Sequence, residues 1–334
     1  MKETQFAKNR TDLLPFPLSK RLRLYSSIKK KQPIDLPRQY WIEITNICNL
    51  KCITCPSAYG LEREKQMMDM ETFAKAIDQI YMTKPRIVLH VAGDPLLNSN
   101  LFKMIDYAKR KGCWVGIHTP AVMLDDSMAN KILDSSLDFI SFSVDGCSAE
   151  VYEKIRVGAK FEKVKSQIEA FLDLREKREA EKPVTRIEIL LMKETEKVIN
   201  EFMEFWQKKK VDKVVIRKAG NWHGLVNIDR TIGRALKYGY RPCLHVFLKA
   251  AILADGTVVP CCNDIQGKLP MGNIKERPFS EIWNSDEYKR LRKQFLSNTV
   301  SESHICYRCH YRRAHSKYEQ ITQWILKQLF WRKG

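Results

Sequence analysis

No stretch of the 334-residue chain approaches the ~18 uninterrupted apolar residues of a membrane-spanning helix. The N-terminus, Met1-Lys2-Glu3-Thr4-Gln5, is polar and lacks the apolar core of a secretory signal. These two absences point to the reducing cytoplasm, so the ten cysteines read as ligands or buried side chains rather than disulfide partners. Histidine is also scarce: there are seven, and none lies within thirty residues of Cys55. Acidic residues are few at both ends. Residues 1–39 hold ten Lys/Arg against three Asp/Glu, and residues 289–334 hold eleven against two, so only +3 of the net +19 belongs to the middle of the chain. Either the basic tails address an anionic partner away from a near-neutral reaction domain, or they serve solubility alone. A chain of this length buries about three-quarters of its unfolded surface, enough for one large domain and a smaller one.

Three cysteines stand close together in Ile44-Thr45-Asn46-Ile47-Cys48-Asn49-Leu50-Lys51-Cys52-Ile53-Thr54-Cys55-Pro56, directly after an apolar stretch that reads as a strand. Cys48, Cys52 and Cys55 can hold three irons of a 4Fe-4S cube, leaving the fourth iron open for a small molecule. Zinc also takes closely spaced thiolates, but it needs a fourth ligand nearby, and the neighbouring sequence offers none.

Apolar runs alternate with amphipathic ones from there on. Strands are expected at 40–45, 86–91, 113–118, 137–144, 186–191 and 213–217, with helices near 70–83, 98–111, 125–135, 161–178 and 196–209. Such alternation predicts an α/β fold of parallel strands with right-handed crossovers and chemistry at the C-terminal strand ends. Motifs fall at those ends: Gly93-Asp94-Pro95-Leu96 after the second strand, His118-Thr119-Pro120 after the third, and Ser143-Val144-Asp145-Gly146 after the fourth, followed by Arg156.

The three-cysteine spacing and the order of these motifs resemble the radical S-adenosylmethionine (SAM) enzymes. The resemblance implies a partial (β/α)6 TIM-type barrel over 40–220 with its cluster loop after the first strand. Thr54 stands where the family usually has an aromatic residue, and Asp94 where it has the Glu of Gly-Glu-Pro. By the same resemblance Gly93, Asp94 and Pro95 meet the amino group of SAM, Thr119 stands in place of a Thr-Asn-Gly motif, and Ser143, Asp145 and Arg156 meet its carboxylate and ribose.

A second cysteine group follows the barrel: Cys243, Cys261-Cys262, and Cys306-Tyr307-Arg308-Cys309, with an Asp255-Gly256 hairpin turn between apolar runs. Spacing alone leaves a zinc ribbon and an iron-sulfur centre open. The group resembles the twitch module, the short form of the SPASM extension, over 221–315. That resemblance implies one auxiliary 4Fe-4S cluster on Cys243, Cys261, Cys306 and Cys309. Cys262 is then left over, as a small buried side chain or as a thiol facing the substrate.

The function implied is reductive cleavage of SAM to a 5′-deoxyadenosyl radical that abstracts a substrate hydrogen atom. The expected reaction is oxidation of a sugar-like or glycan alcohol, with Asp264 or Arg217 as base. The alternatives are a radical epimerase using Cys262 as hydrogen donor, and a peptide-modifying SPASM maturase, for which the 39 residues before the first strand are short of a leader-binding domain. A zinc-stabilised nucleic-acid-binding protein would explain the charge and the cysteine pairs but not the strand-end motifs, so nucleic acid is not an expected partner. An electron donor such as flavodoxin or ferredoxin is implied. Beyond 315, Ile321, Trp324, Ile325, Leu326, Leu329, Phe330 and Trp331 precede Arg332-Lys333. Segment 316–334 thus reads as an amphipathic basic helix, either packed on the module or lying on an anionic membrane surface at the cytoplasmic face.

Overall fold

The computed structural model describes residues 34–220, 222–226, 243, 245–297, 299–307 and 309. Segment 316–334 and most of the basic N-terminal extension, with their expected helix and membrane contact, lie outside the described residues. Among the described residues no helix is long and apolar enough to cross a membrane.

Strand and helix alternate as the periodicity predicts. The parallel strands are β1 (Gln39–Ile42), β2 (Arg86–Val88), β3 (Trp114–Thr119), β4 (Phe139–Ser143), β5 (Val184–Leu191) and β6 (Lys213–Lys218). Helices α1 (Met70–Ile80), α2 (Leu101–Arg110), α3 (Asp126–Asp134), α4 (Ala149–Ile155), α5 (Phe161–Lys177) and α6 (Ile199–Gln207) make the crossovers. In α1, Asp69 caps the first turn by accepting from Thr72 N at 2.6 Å, and Phe73, Ala76, Ile77 and Ile80 form one buried stripe. Helix α4 escapes the periodicity because only Tyr152 and Ile155 of its seven residues are buried.

Beyond β1 the sheet continues into β7 (Lys249–Ile252), β8 (Thr257–Val259) and β9 (Gly272–Asn273), in the order β6-β5-β4-β3-β2-β1-β7-β8-β9, an open partial barrel. After α7 (His245–Leu248), strand β7 (Lys249–Ile252) pairs parallel to β1, with Trp41 opposite Ala251. It turns at Asp255-Gly256 into antiparallel β8 (Thr257–Val259), and β9 (Gly272–Asn273) follows. Gly256 has φ +90°, and Asp255 Oδ1 accepts from Thr257 N at 2.9 Å, which fixes the predicted hairpin. Helices α8 (Phe279–Trp283) and α9 (Asp286–Ser297) follow; Trp283 Nε1 donates to Asp35 O at 3.0 Å, tying α8 to the segment before β1.

Alternation within strands separates two apolar clusters. Tyr40, Ile42, Ile187, Ile189, Ala250 and Ile252 belong to the large core beneath the helices. Ala251 and Leu253 gather with Val91 and Val259 in a small second cluster, against which Trp41 and Cys262 pack, on the face that lines the barrel lumen.

Candidate active site

Beyond β1 the chain leaves the sheet: Glu43 N donates to Ile252 O at 2.8 Å, and Thr45 bridges to Met67. The cysteine loop is fastened on its far side by Lys51 N to Val157 O (2.9 Å) and Ile53 N to Ile155 O (3.0 Å). Trp222 Nε1 donates to Thr54 O at 2.9 Å. Cys48, Cys52 and Cys55 thus share one anchored turn, with Cys52 buried and the others half-buried. Burial pushes the Cys48 thiol up to about 11 and raises Cys52, and Cys55 adds to both effects. Thiols held neutral by burial ionise when a cation binds them, so this donor set fits an iron centre.

Gly93, at φ +73°, lets the turn after β2 slide beneath that loop: a Cβ would lie 2.6 Å from Thr45 O and 2.7 Å from Ile47 O. Asp94, next in sequence, is fully buried and caps the turn begun by Pro95. Its Oδ1 accepts from Thr119 Oγ1 at 2.9 Å and Leu96 N at 3.2 Å, while its Oδ2 has no hydrogen-bond partner. Burial pushes this carboxyl up to about 6. An ammonium group would satisfy the orphaned oxygen, so the shorter Asp fits the amino end of SAM.

Ser143, half-buried at the end of β4, stands in register with Glu188 of β5. Asp145 and Arg156 meet each other: Arg156 Nη2 and Nε lie 2.7 and 2.8 Å from Asp145 Oδ2. Asp145 Oδ1 accepts from Leu190 N at 2.8 Å, and Arg156 Nη1 reaches Cys52 Sγ at 3.7 Å. One ion pair therefore couples the end of β4 to the cysteine loop.

Polar side chains fill the lumen between β2 and β6. The His90 and His118 rings stack at 5.6 Å, and His118 Nδ1 lies 4.0 Å from Glu188 Oε1. Glu188 also faces Arg186 (2.8 Å) and Arg217 (3.6 Å). Burial alone would raise Glu188, but these guanidinium groups and His118 pull it down to about 2. Burial drives both imidazoles down, His90 to about 4, so they are neutral near pH 7. Nothing but the alternation of Arg186 and Glu188 with Ile187 and Ile189 announces this group. In a parallel strand covered on both faces, charge at every second residue marks a polar lumen.

On the other side of β8, Cys243, Cys261, Cys306 and Cys309 line one cavity with His223, His245 and Asp264. Asn263 N donates to Cys261 Sγ at 3.4 Å, and His245 Nδ1 lies at the same distance from that sulfur. Four thiols around one buried space fit an auxiliary iron-sulfur centre. Among the described residues no three Cys, His, Asp or Glu side chains are drawn together as tightly as a single metal ion requires; a cubane spreads its ligands more widely. No disulfide joins any of the ten cysteines.

Of the expected reaction residues, the structure brings Arg217 and Cys262 to the lumen and leaves Asp264 out. The Asp264 oxygens accept from Lys268 N and Leu269 N, both at 2.8 Å, which closes its own turn. Cys262 packs against the Trp41 cluster, and a hydrogen bond from the Cys261 thiol, helped by the charges of Lys249 and Arg217, pulls its own thiol down. Being adjacent to Cys261 does not keep Cys262 from the lumen.

The family profile described as the radical SAM superfamily matches residues 42–205, and that of an iron-sulfur cluster-binding domain, SPASM, matches residues 243–310. The chain belongs to the radical SAM superfamily. It carries 4Fe-4S clusters and uses SAM, as this family does. It is similar to the tungsten-containing aldehyde ferredoxin oxidoreductase cofactor-modifying protein of Pyrococcus furiosus, 23% identical over 297 residues that cover 75% of this chain and 82% of that protein. Among solved structures it is similar to BtrN in complex with AdoMet and 2-DOIA, with 19% identity and TM-score 0.58 over 85% of this chain and 98% of BtrN. SuiB of Streptococcus suis bound to the precursor peptide SuiA superposes with TM-score 0.65 at 15% identity, over 91% of this chain and 77% of SuiB. These likenesses bear out the partial-barrel fold.

Proposed function

We propose that this radical SAM enzyme oxidises an alcohol carbon of a small sugar-like or glycan substrate held in the barrel lumen. The observation that carries the reading is His118, a neutral imidazole that turns Nδ1 toward ionised Glu188 in the lumen. Cys48, Cys52 and Cys55 would hold the SAM-binding cluster, and Cys243, Cys261, Cys306 and Cys309 the auxiliary one. When bound, these groups supply a radical that takes a hydrogen atom from the substrate and an acceptor for the electron released. Asp94 would bind the ammonium of SAM, and Gly93 and Pro95 set its turn. Thr119 orients the Asp94 carboxyl, while Ser143, Asp145 and Arg156 face the carboxylate and ribose end. His118 Nε2 then accepts the proton of the substrate hydroxyl, with Glu188 stabilising the imidazolium that forms. This assignment replaces Asp264, whose oxygens are occupied, and Arg217, whose guanidinium holds its proton. A flavodoxin- or ferredoxin-type protein would supply the reducing electron.

A second reading, epimerisation, is favoured by one feature: Cys262 packs on the lumen side, against Trp41, where a thiol can return a hydrogen atom. Turnover in deuterated water separates the two. Oxidation gives a carbonyl product with no deuterium at the attacked carbon, and His118→Asn abolishes it while SAM cleavage continues. Deuterium at that carbon, lost in Cys262→Ala, would establish epimerisation instead. A precursor peptide as the only molecule that accelerates SAM cleavage would overturn both.

A further inference from the structure

Lys249 is a buried lysine with no carboxylate partner among the described residues. It opens β7, where Ala250 and Ile252 point to the core and Ala251 to the lumen, so Lys249 shares the lumen face. Only 4% of the residue is exposed. Its Nζ sits 4.3 Å from the centre of the Trp41 ring, and among the described residues it makes no ion pair. A cation–π contact offsets only part of what it costs to take a charge out of water. A lysine left in that condition has a missing anion. The carboxylates of the lumen face are engaged elsewhere: Glu43 is gripped by Arg63 through two 2.9 Å hydrogen bonds, and Glu188 lies between Arg186 and Arg217. Asp145 is taken by Arg156. Lys249 and Trp41 therefore stand together on the lumen face, beside the small cluster against which Cys262 packs.

We propose that the substrate carries an oxyanion, a carboxylate or a phosphate, which Lys249 binds beside the face of Trp41. The proposal rests on the lumen being the substrate site. It narrows the substrate from a sugar-like alcohol to an acidic or phosphorylated one, and it sets the distance from anion to attacked carbon by the span between Lys249 and His118. Neutral polyols would enter the same lumen but leave the ammonium unmatched, which is a specificity device.

The test is equilibrium binding by calorimetry, at constant ionic strength, to anaerobically reconstituted protein saturated with SAM, so that the SAM carboxylate site is already filled. Inorganic phosphate and acetate are the two probes and separate the two kinds of oxyanion; methyl glucoside is the neutral control. The expected result is one site for at least one anion, weakened tenfold or more in Lys249→Met and restored in Lys249→Arg. Absence of anion binding to the wild-type protein overturns the proposal, as does unchanged affinity in Lys249→Met. Should Lys249→Met leave anion affinity intact and lower only the midpoint potential of the auxiliary centre, the ammonium serves the cysteines and the proposal falls. Loss of SAM cleavage in wild-type protein would sink the radical reading instead, and the anion titration would still report on Lys249.

Discussion

Arg156 and Asp145 hold each other through two contacts of 2.7 and 2.8 Å while Arg156 also touches Cys52. SAM bound at the end of β4, as proposed, would thereby be tied to the loop that carries the cysteines. Breaking a buried pair from one side costs about 3–5 kcal/mol, because the surviving charge is left alone. Asp145→Asn should therefore lower stability by roughly that amount and weaken SAM binding at least tenfold. Denaturant melts and SAM titration check the two effects separately. Full SAM affinity in the folded variant would remove Asp145 from the site.

Iron content tests the two cysteine sets. Reconstituted protein should hold about eight irons, and Cys48, Cys52 and Cys55 changed together to Ala should leave about four. The four that remain should be lost on changing Cys306 and Cys309. An unaltered iron count in the triple variant would refute the first assignment.

Asp94 makes a stability prediction of opposite sign to its functional one. Its carboxyl ionises at about 6 in the folded protein but at about 4 in an unfolded chain. The folded state therefore binds more protons between those values, so stability falls as pH rises from 4 to 6 and stays reduced above 6. Two pH units correspond to about 3 kcal/mol at most. Asp94→Asn, which keeps the acceptor for Thr119, should be more stable than the parent at pH 7.5, with the gain vanishing toward pH 4. It should also bind SAM poorly, and in the parent SAM affinity should weaken as pH drops below 6. Urea melts of both proteins across this range, with SAM titrations alongside, decide it.

Glu188→Gln leaves His118 without its anion and Arg186 and Arg217 without their shared carboxylate. SAM cleavage should persist while substrate oxidation falls by 100-fold or more, in line with loss of base catalysis. Product and 5′-deoxyadenosine measured in the same reaction show whether the two steps separate. Equal loss of both would make Glu188 structural.

The barrel was legible because parallel strands announce themselves as short apolar runs spaced by amphipathic helices. All six expected strands form, although β1 stops at Ile42 rather than 45, and β2 stops at Val88 rather than 91, since His90 and Val91 turn inward toward the lumen. The cysteines were legible because thiol chemistry is tied to spacing. Glu188 and Lys249 were not: each is one charged residue inside an apolar strand, and its meaning depends on which strands become neighbours. Asp264 misled for the converse reason. A carboxylate near cysteines reads as chemistry, but the amides of Lys268 and Leu269 make it a turn.

The parallel pairing of β1 with β7 also governs how the protein is made. Trp41 and its partner Ala251 lie far apart in the chain, so during synthesis β1 emerges long before the strand that covers its outer edge. Until then the ribosome-bound barrel presents Gln39-Tyr40-Trp41-Ile42 as a bare, apolar strand edge, the kind of surface on which nascent chains stick to one another. A fragment ending at residue 220 would keep that edge permanently, and should collect in inclusion bodies rather than serve as a minimal enzyme.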